Sequence, residues 1–172
     1  VVGAGGSTVV SESGDTDSFT VCLDEHPGSN VVFSIASQDQ EEGLVSPLSL
    51  TFTPANWDTA QTVVVTGAND GLFDGDQDFL VVVSVDDNQS DSAFTALSDT
   101  PVSAVNLDNE VAAYTVVESG GSTLASDDAD TDLITVVLDE HPGSNAVFFI
   151  APQDQEAVLA PLSSLTFTPA NW

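Results

Sequence analysis

Short runs of alternating apolar and polar residues recur along the whole chain, separated by turns rich in Gly, Pro and Asp. Thr62-Val63-Val64-Val65-Thr66 and Phe79-Leu80-Val81-Val82-Val83-Ser84-Val85 are dominated by β-branched and aromatic residues. Such residues fit a pleated, half-buried surface. Phe19-Thr20-Val21-Cys22-Leu23 alternates, and Ile134-Thr135-Val136-Val137-Leu138 repeats its pattern. Pro27-Gly28, Gly5-Gly6 and Asn69-Asp70-Gly71 punctuate the runs as turns. No stretch carries the 3.6-residue period of an amphipathic helix.

The runs belong to a larger repeat. Asp24-Glu25-His26-Pro27-Gly28-Ser29-Asn30 recurs at 139–145, and Leu50-Thr51-Phe52-Thr53-Pro54-Ala55-Asn56-Trp57 recurs at 165–172, both at an offset of 115 residues. Residues 1–57 and 116–172 align without a gap and agree at about two-thirds of positions. A long fixed period is the signature of tandem modules. Strands are expected near 112–118 (the first strand, taken from the second copy), 18–23, 30–36, 48–53, 61–67, 78–86 and 101–107. Seven short strands per period imply an antiparallel sandwich. The expected fold class is all-β, with antiparallel immunoglobulin-like sandwich modules in tandem. Residues 1–110 form one complete module in this reading, and 111–172 the first half of a second. Two explanations of the half-module are open: a window cut from a longer array, or completion by a neighbouring subunit through strand exchange.

Charge changes the picture most. The 172 residues include no Lys or Arg and 28 Asp and Glu, a formal charge of −28. No carboxylate can be neutralised by a basic side chain, and only His26 and His141 offer imidazoles. Crowded like charges raise each other's pKa or draw in a counter-ion. The expected cofactor is therefore a hard divalent cation, Ca2+, held by oxygen ligands. With 41% hydrophobic and 16% charged residues, the chain can bury a core, unlike a disordered acidic tail. The acidity argues against nucleic acid and anionic membrane as partners. No apolar run approaches the roughly 20 residues of a membrane helix. The chain has no Met and no basic leader, and reads as a mature product or an internal piece.

In an up-and-down count, four connections share one end of the sandwich. They carry Asp15 and Asp17; Asp39, Glu41 and Glu42; Asp70, Asp74 and Asp76; and Asp108 and Glu110. Asp74-Gly75-Asp76-Gln77-Asp78 places oxygen ligands on alternate residues, hence on one face of an extended chain. It is not an EF-hand loop, because Phe79 stands where Gly is needed and Val85 where the closing Glu belongs. The bland reading is an acidic, solvated turn.

Several segments together resemble Calx-beta modules. They are Val116-Val117-Glu118-Ser119-Gly120-Gly121, Leu50 to Asp58, Gln61 to Gly67, and Asn69 to Gln77. The resemblance implies calcium ligands at Asp39, Asp70, Asp74, Asp76, Asp108 and Glu110. It implies an extracellular, calcium-stabilised structural or adhesive repeat of a bacterial surface protein, matrix protein or filament. The partners expected are copies of the chain or adjacent repeats, and glycans, with no nucleic acid and no membrane insertion. The alternative is a carbohydrate-binding sandwich module presenting Trp57; a buried Trp57 counts against it. A third reading is a merely halophilic surface.

The remaining motifs have plain readings. His26 and His141 precede Pro-Gly as turn residues, and no nucleophile is recognisable beside them, so no enzymatic activity is expected. Cys22 matches Val137 of the other copy and reads as a small core residue. Asn88-Gln89-Ser90 is a sequon that permits N-glycosylation in an extracellular setting.

Overall fold

The computed structural model describes residues 8–118, 120, 132–152 and 163–172. Strands β1 (Thr8–Ser11), β2 (Thr16–Val21), β3 (Val31–Ser37), β4 (Gly43–Ser46), β5 (Ser49–Phe52) and β6 (Gln61–Gly67) come first. Next are β7 (Leu72–Phe73), β8 (Gln77–Val85), β9 (Thr100–Leu107), β10 (Tyr114–Glu118) and β11 (Ile134–Leu138). The last are β12 (His141–Pro142), β13 (Ala146–Phe149) and β14 (Ser164–Phe167). The protein is all-β, and among the described residues no helix is long and apolar enough to cross a membrane. The chain divides into two compact units: Val1–Asp70 with Gly75–Asn109, and Gly71–Asp74 with Glu110–Trp172.

The first unit is a two-sheet sandwich. One sheet has the order β1-β9-β8-β3-β5 and the other β2-β6-β4. Every pairing is antiparallel except β1 with β9, which is parallel. The period-2 pattern places alternate side chains inward. On β6 these are Val63 and Val65, on β8 Phe79, Val81 and Val83, and on β3 Val31, Phe33 and Ile35, all buried. With Phe19, Val21, Leu50 and Phe52 they form one core, against which Trp57 packs half-buried. Phe33 and Phe52 meet edge to face at 5.9 Å.

Three differences from the sequence reading stand out. The sandwich's first strand is β1, which lies against the last strand. The expected 48–53 strand is preceded by β4, which joins the other sheet and leads through the cis Ser46–Pro47 bond into β5. Cys22 is half-buried rather than in the core, because alternation sends Val21 and Leu23 inward and turns its own side chain away.

The second unit contains the hairpin-like pairs β10–β11 and β13–β14, both antiparallel, and the short parallel pair β12–β7. Its apolar residues are less covered than their counterparts in the first copy. Phe19, Val21, Phe33, Ile35, Leu50 and Phe52 are all buried. The residues at the same places in the second copy are Ile134, Val136, Phe148, Ile150, Leu165 and Phe167, and none of them is buried. Ile134 is 48% exposed, and Phe149 of β13 is 85% exposed.

Candidate functional site

The strand directions of the first unit bring its acidic loops to one end. β1, β3, β6 and β9 finish there, and β2, β4 and β8 begin there. Backbone hydrogen bonds join these loops: Glu12 N–H to Leu107 O (3.1 Å), Gly67 N–H to Asp15 O (3.0 Å) and Ala68 N–H to Glu42 O (3.1 Å). The end therefore has a fixed backbone frame carrying carboxylates.

The predicted ligands occupy different parts of it. Asp108 and Asp76 meet around one loop: Gly75 N–H donates to an Asp108 carboxylate oxygen at 2.7 Å, and Asp108 N–H donates to Asp76 Oδ1 at 3.1 Å. Gly75 holds φ at +82°, a left-handed angle that glycine adopts without a Cβ clash. Asp70 offers a carboxylate oxygen within 4.8 Å of one from Glu42. Asp39 is not brought to these groups by any hydrogen bond described; its carboxylate accepts from Glu41 N–H at 3.0 Å and shapes its own turn. Asp74 and Glu110 belong to the second unit. Asp15 and Asp17 also do local work, accepting from Ser11 Oγ at 2.8 Å and from Val9 N–H at 3.0 Å.

Two residues matter more than the sequence suggested. Glu12 is 4% exposed, and its carboxylate lies within 4.8 Å of that of Asp108. Its position was legible: Thr8 and Val10 are the inward residues of β1, and Glu12, one residue past its end, continues the alternation inward. Asn106, 1% exposed, donates from Nδ2 to Glu42 Oε2 at 3.1 Å and to Ala68 O at 2.8 Å. Its Oδ1 is buried with no hydrogen-bond partner. The donor set is thus all oxygen. It suits a hard cation, because no basic side chain in the chain can supply counter-charge.

The opposite end is built differently. Leu23 N–H donates to Trp57 O at 3.1 Å, and the His26 ring meets the Trp57 ring edge-on at 5.8 Å. His141 meets Trp172 in the same way at 5.2 Å, with its Nε2 3.0 Å from Pro169 O, and it lies in strand β12 rather than in the turn expected from sequence. Trp57 is packed on the core rather than presented as a flat platform, which counts against stacking of a sugar on it.

Asp91 ties down the long β8–β9 connection. It accepts from Gly28 N–H at 2.7 Å and Ser29 N–H at 3.0 Å through one oxygen, and from Ala93 N–H at 3.0 Å through the other. The bonds from Ala93, Ser29 and Gly28 hold its carboxyl below the ordinary carboxylate range, against a smaller opposing effect of desolvation. A lowered folded-state pKa stabilises above the unfolded-state value and is lost as pH falls through the folded value. The Gly28 and Ser29 amide resonances should therefore titrate with a midpoint below the roughly 3.9 of an unperturbed Asp. Asp91→Asn should abolish that step, as NMR would detect.

Asn88 is exposed in the same connection, with its N–H on Asp86 Oδ1 at 3.0 Å. The Ser90 hydroxyl donates to Val32 O at 3.1 Å and accepts from Val32 N–H at 3.0 Å, so the sequon's third residue is built into the fold.

No family model matches the chain, and no curated protein does. Solved structures do. SSP-19, an MSP-domain-like protein of Caenorhabditis elegans, is 17% identical, with 60% of this chain and 94% of that one covered and a TM-score of 0.39. The CupB2 chaperone of Pseudomonas aeruginosa is 11% identical, covering 98% and 89%, with a TM-score of 0.44. The CsuC–CsuE chaperone–tip adhesion subunit pre-assembly complex of Acinetobacter baumannii is 11% identical, covering 94% and 83%, with a TM-score of 0.41.

These findings correct the family assignment and what it carried. The structures found are MSP-domain proteins and periplasmic chaperones, not Calx-beta modules. Of the segments that suggested Calx-beta, Leu50 to Asp58 contains a turn in which Thr53 N–H bonds Asn56 Oδ1 at 2.6 Å, and Gln61 to Gly67 is β6 in its ladder with β2; Ser119 and Gly121 lie outside the described residues. The same finding overturns the extracellular adhesive or filament repeat, with its adhesion and Calx-beta calcium-module character, and the carbohydrate alternative.

Proposed function

We propose that this chain is a non-catalytic β-sandwich module that works by protein–protein interaction, its second unit accepting β-strands from a protein partner. One observation carries this reading. Phe19, Phe33 and Phe52 are buried in the first copy, whereas their counterparts Ile134, Phe148 and Phe167 are exposed or half-buried, and Val116, Val117, Val147 and Phe149 of the second unit stand exposed. In the first copy those three residues are covered by β6, β8 and β9, which bring Val63 and Val65, Phe79, Val81 and Val83, and Ala104. The partner segment that fits is therefore a set of strands with alternating Val and Phe, in the pattern of residues 61–107. Strand addition supplies main-chain hydrogen bonds, and alternate side-chain pockets supply selectivity. A location outside the cytoplasm suits this use.

The test adds a polypeptide of sequence 58–107 to the full chain and follows hydrogen exchange. Protection of 134–138, 146–149 and 164–167 supports strand acceptance. Unchanged exchange there, or protection confined to the first unit, contradicts it.

A divalent cation, with Ca2+ the best fit, is the cofactor this reading adds at the acidic end. The buried Glu12 carboxylate beside Asp108, in a chain without Lys or Arg, favours it. In the first unit, Glu12 and Asp108, and Glu42 and Asp70, would hold it; Asp74 and Glu110 remain candidates from sequence. The ion would neutralise the loops and fix their spacing. Sites of this kind bind with dissociation constants of roughly 10⁻⁴ to 10⁻³ M. Calcium at about ten times such a constant, in the millimolar range, should raise stability by about 1.4 kcal/mol. Melting with calcium or chelator at constant ionic strength should show the shift, and Glu12→Gln should abolish it.

A further inference from the structure

The first unit also contains a cavity of about 600 Å³ at the end away from the acidic loops. Its floor is core: Leu23, Phe33 and Val83, all at most 5% exposed. Its wall is the β8–β9 connection, through Phe94 and the half-exposed Leu97. Its mouth carries Asp24, Glu25 and His26. The volume lies in the range of small-molecule sites, and the combination of an apolar body with a few polar groups is their usual chemistry.

The wall is held in place. Asp91 pins the start of the connection to Gly28 and Ser29, and its own N–H bonds Asn30 O at 2.8 Å. Phe94 N–H then bonds Asp91 O at 2.9 Å, and Leu97 N–H bonds Phe94 O at 3.1 Å. These bonds make the segment over the cavity a succession of turns rather than a loose loop. Phe94 packs against the core cluster while still facing the cavity.

Charge selects the occupant. Two of the three ionisable groups at the mouth are carboxylates, and the chain offers no Lys or Arg to receive an anion. We propose that this cavity is a binding site for a small organic cation: an ammonium group at Asp24 and Glu25, and an aromatic or aliphatic body against Leu23, Phe33, Val83 and Phe94. The aromatic ring of Phe94 adds a surface that tolerates a cation at its face. This site lies wholly in the first unit and is independent of strand acceptance by the second.

The probe is 2-phenylethylammonium, titrated into the full chain while the His26 imidazole resonances are followed by NMR, with His141 as the internal reference. The expected result is saturable binding that moves His26 and leaves His141 unmoved. The anionic analogue 3-phenylpropionate should bind at least about tenfold more weakly, as two nearby carboxylates dictate. The neutral 2-phenylethanol should fall between them. Asp24→Asn with Glu25→Gln should weaken the ammonium about tenfold and leave 2-phenylethanol unchanged. Ala93→Trp, at an exposed position on the cavity wall, should block all three ligands by filling the space. Absence of saturable binding would overturn the proposal. So would ammonium binding that survives Ala93→Trp, which is condensation on the acidic surface, or equal affinity for the anion.

Discussion

Phe52→Ala should destabilise the first unit by about 4 kcal/mol, whereas Phe167→Ala should cost the second unit about 1 kcal/mol or less. The two residues hold the same place in the two copies, in identical Leu-Thr-Phe-Thr-Pro-Ala-Asn-Trp segments. Local sequence is therefore not the cause of the difference. Phe52 is fully buried, in edge contact with Phe33 and inside a core closed by β6 and β8. Removing its ring leaves a cavity that rigid sheets cannot collapse. Phe167 has a similar aromatic neighbour, Phe148 at 5.6 Å, but is only half-buried. Its truncation loses contacts without creating a sealed void. Once strands of the 61–107 pattern are bound, the cost of Phe167→Ala should rise towards that of Phe52→Ala. Residue-resolved hydrogen exchange in denaturant reads both units separately.

Gly67→Ala should be nearly as severe, at about 3 kcal/mol, a value at the upper end for overpacking. An added Cβ would lie 2.0 Å from the Ser11 carbonyl oxygen and 2.7 Å from Asn106 Oδ1. The first contact is with backbone, so no rotamer change relieves it. Gly67 pairs with Gly43 across the β4–β6 ladder, and a Cβ on Gly43 would lie 2.2 Å from the ring of Phe79. The two glycines thus allow β6 and β4 to close over the acidic end, where β1 and Asn106 also meet. Gly67→Ala should therefore weaken cation uptake along with stability, since it pushes β6 from the β1 end that carries Glu12. Denaturant midpoints and calcium titration of the variant check both effects.

Much of the architecture was legible because strands announce themselves by alternation. The 61–67 run coincides with β6, and the 30–36, 78–86 and 101–107 runs match β3, β8 and β9 to within a residue at either end. The strands missed were short ones defined by their neighbours. β1 has only four residues and is recognisable as a strand only through its parallel partner β9. β4 and β5 read as one strand with a preceding loop, since nothing local says that Gly43–Ser46 belongs to the opposite sheet. The acidic end was legible as a set of loops, because connections in a sandwich alternate between ends. Which carboxylates approach each other was not, since that depends on backbone frames such as the Gly75 turn under Asp108. The alternation of Glu12 with Val10 and Thr8 marks it as inward-facing, but nothing local says that its carboxylate meets that of Asp108. The Thr53–Asn56 turn is set by its local Thr-Pro-Ala-Asn sequence and recurs at Thr168–Asn171, so it identifies a turn rather than a family.

Exposure of apolar side chains in the second unit carries the functional reading, and hydrogen exchange of the full chain tests it most directly. The account predicts that amides of β13 and β14 exchange far faster than those of β3 and β5, their sequence counterparts, and slow to comparable rates when a 58–107 polypeptide is added. Equal protection of the two copies without any added strand would contradict it.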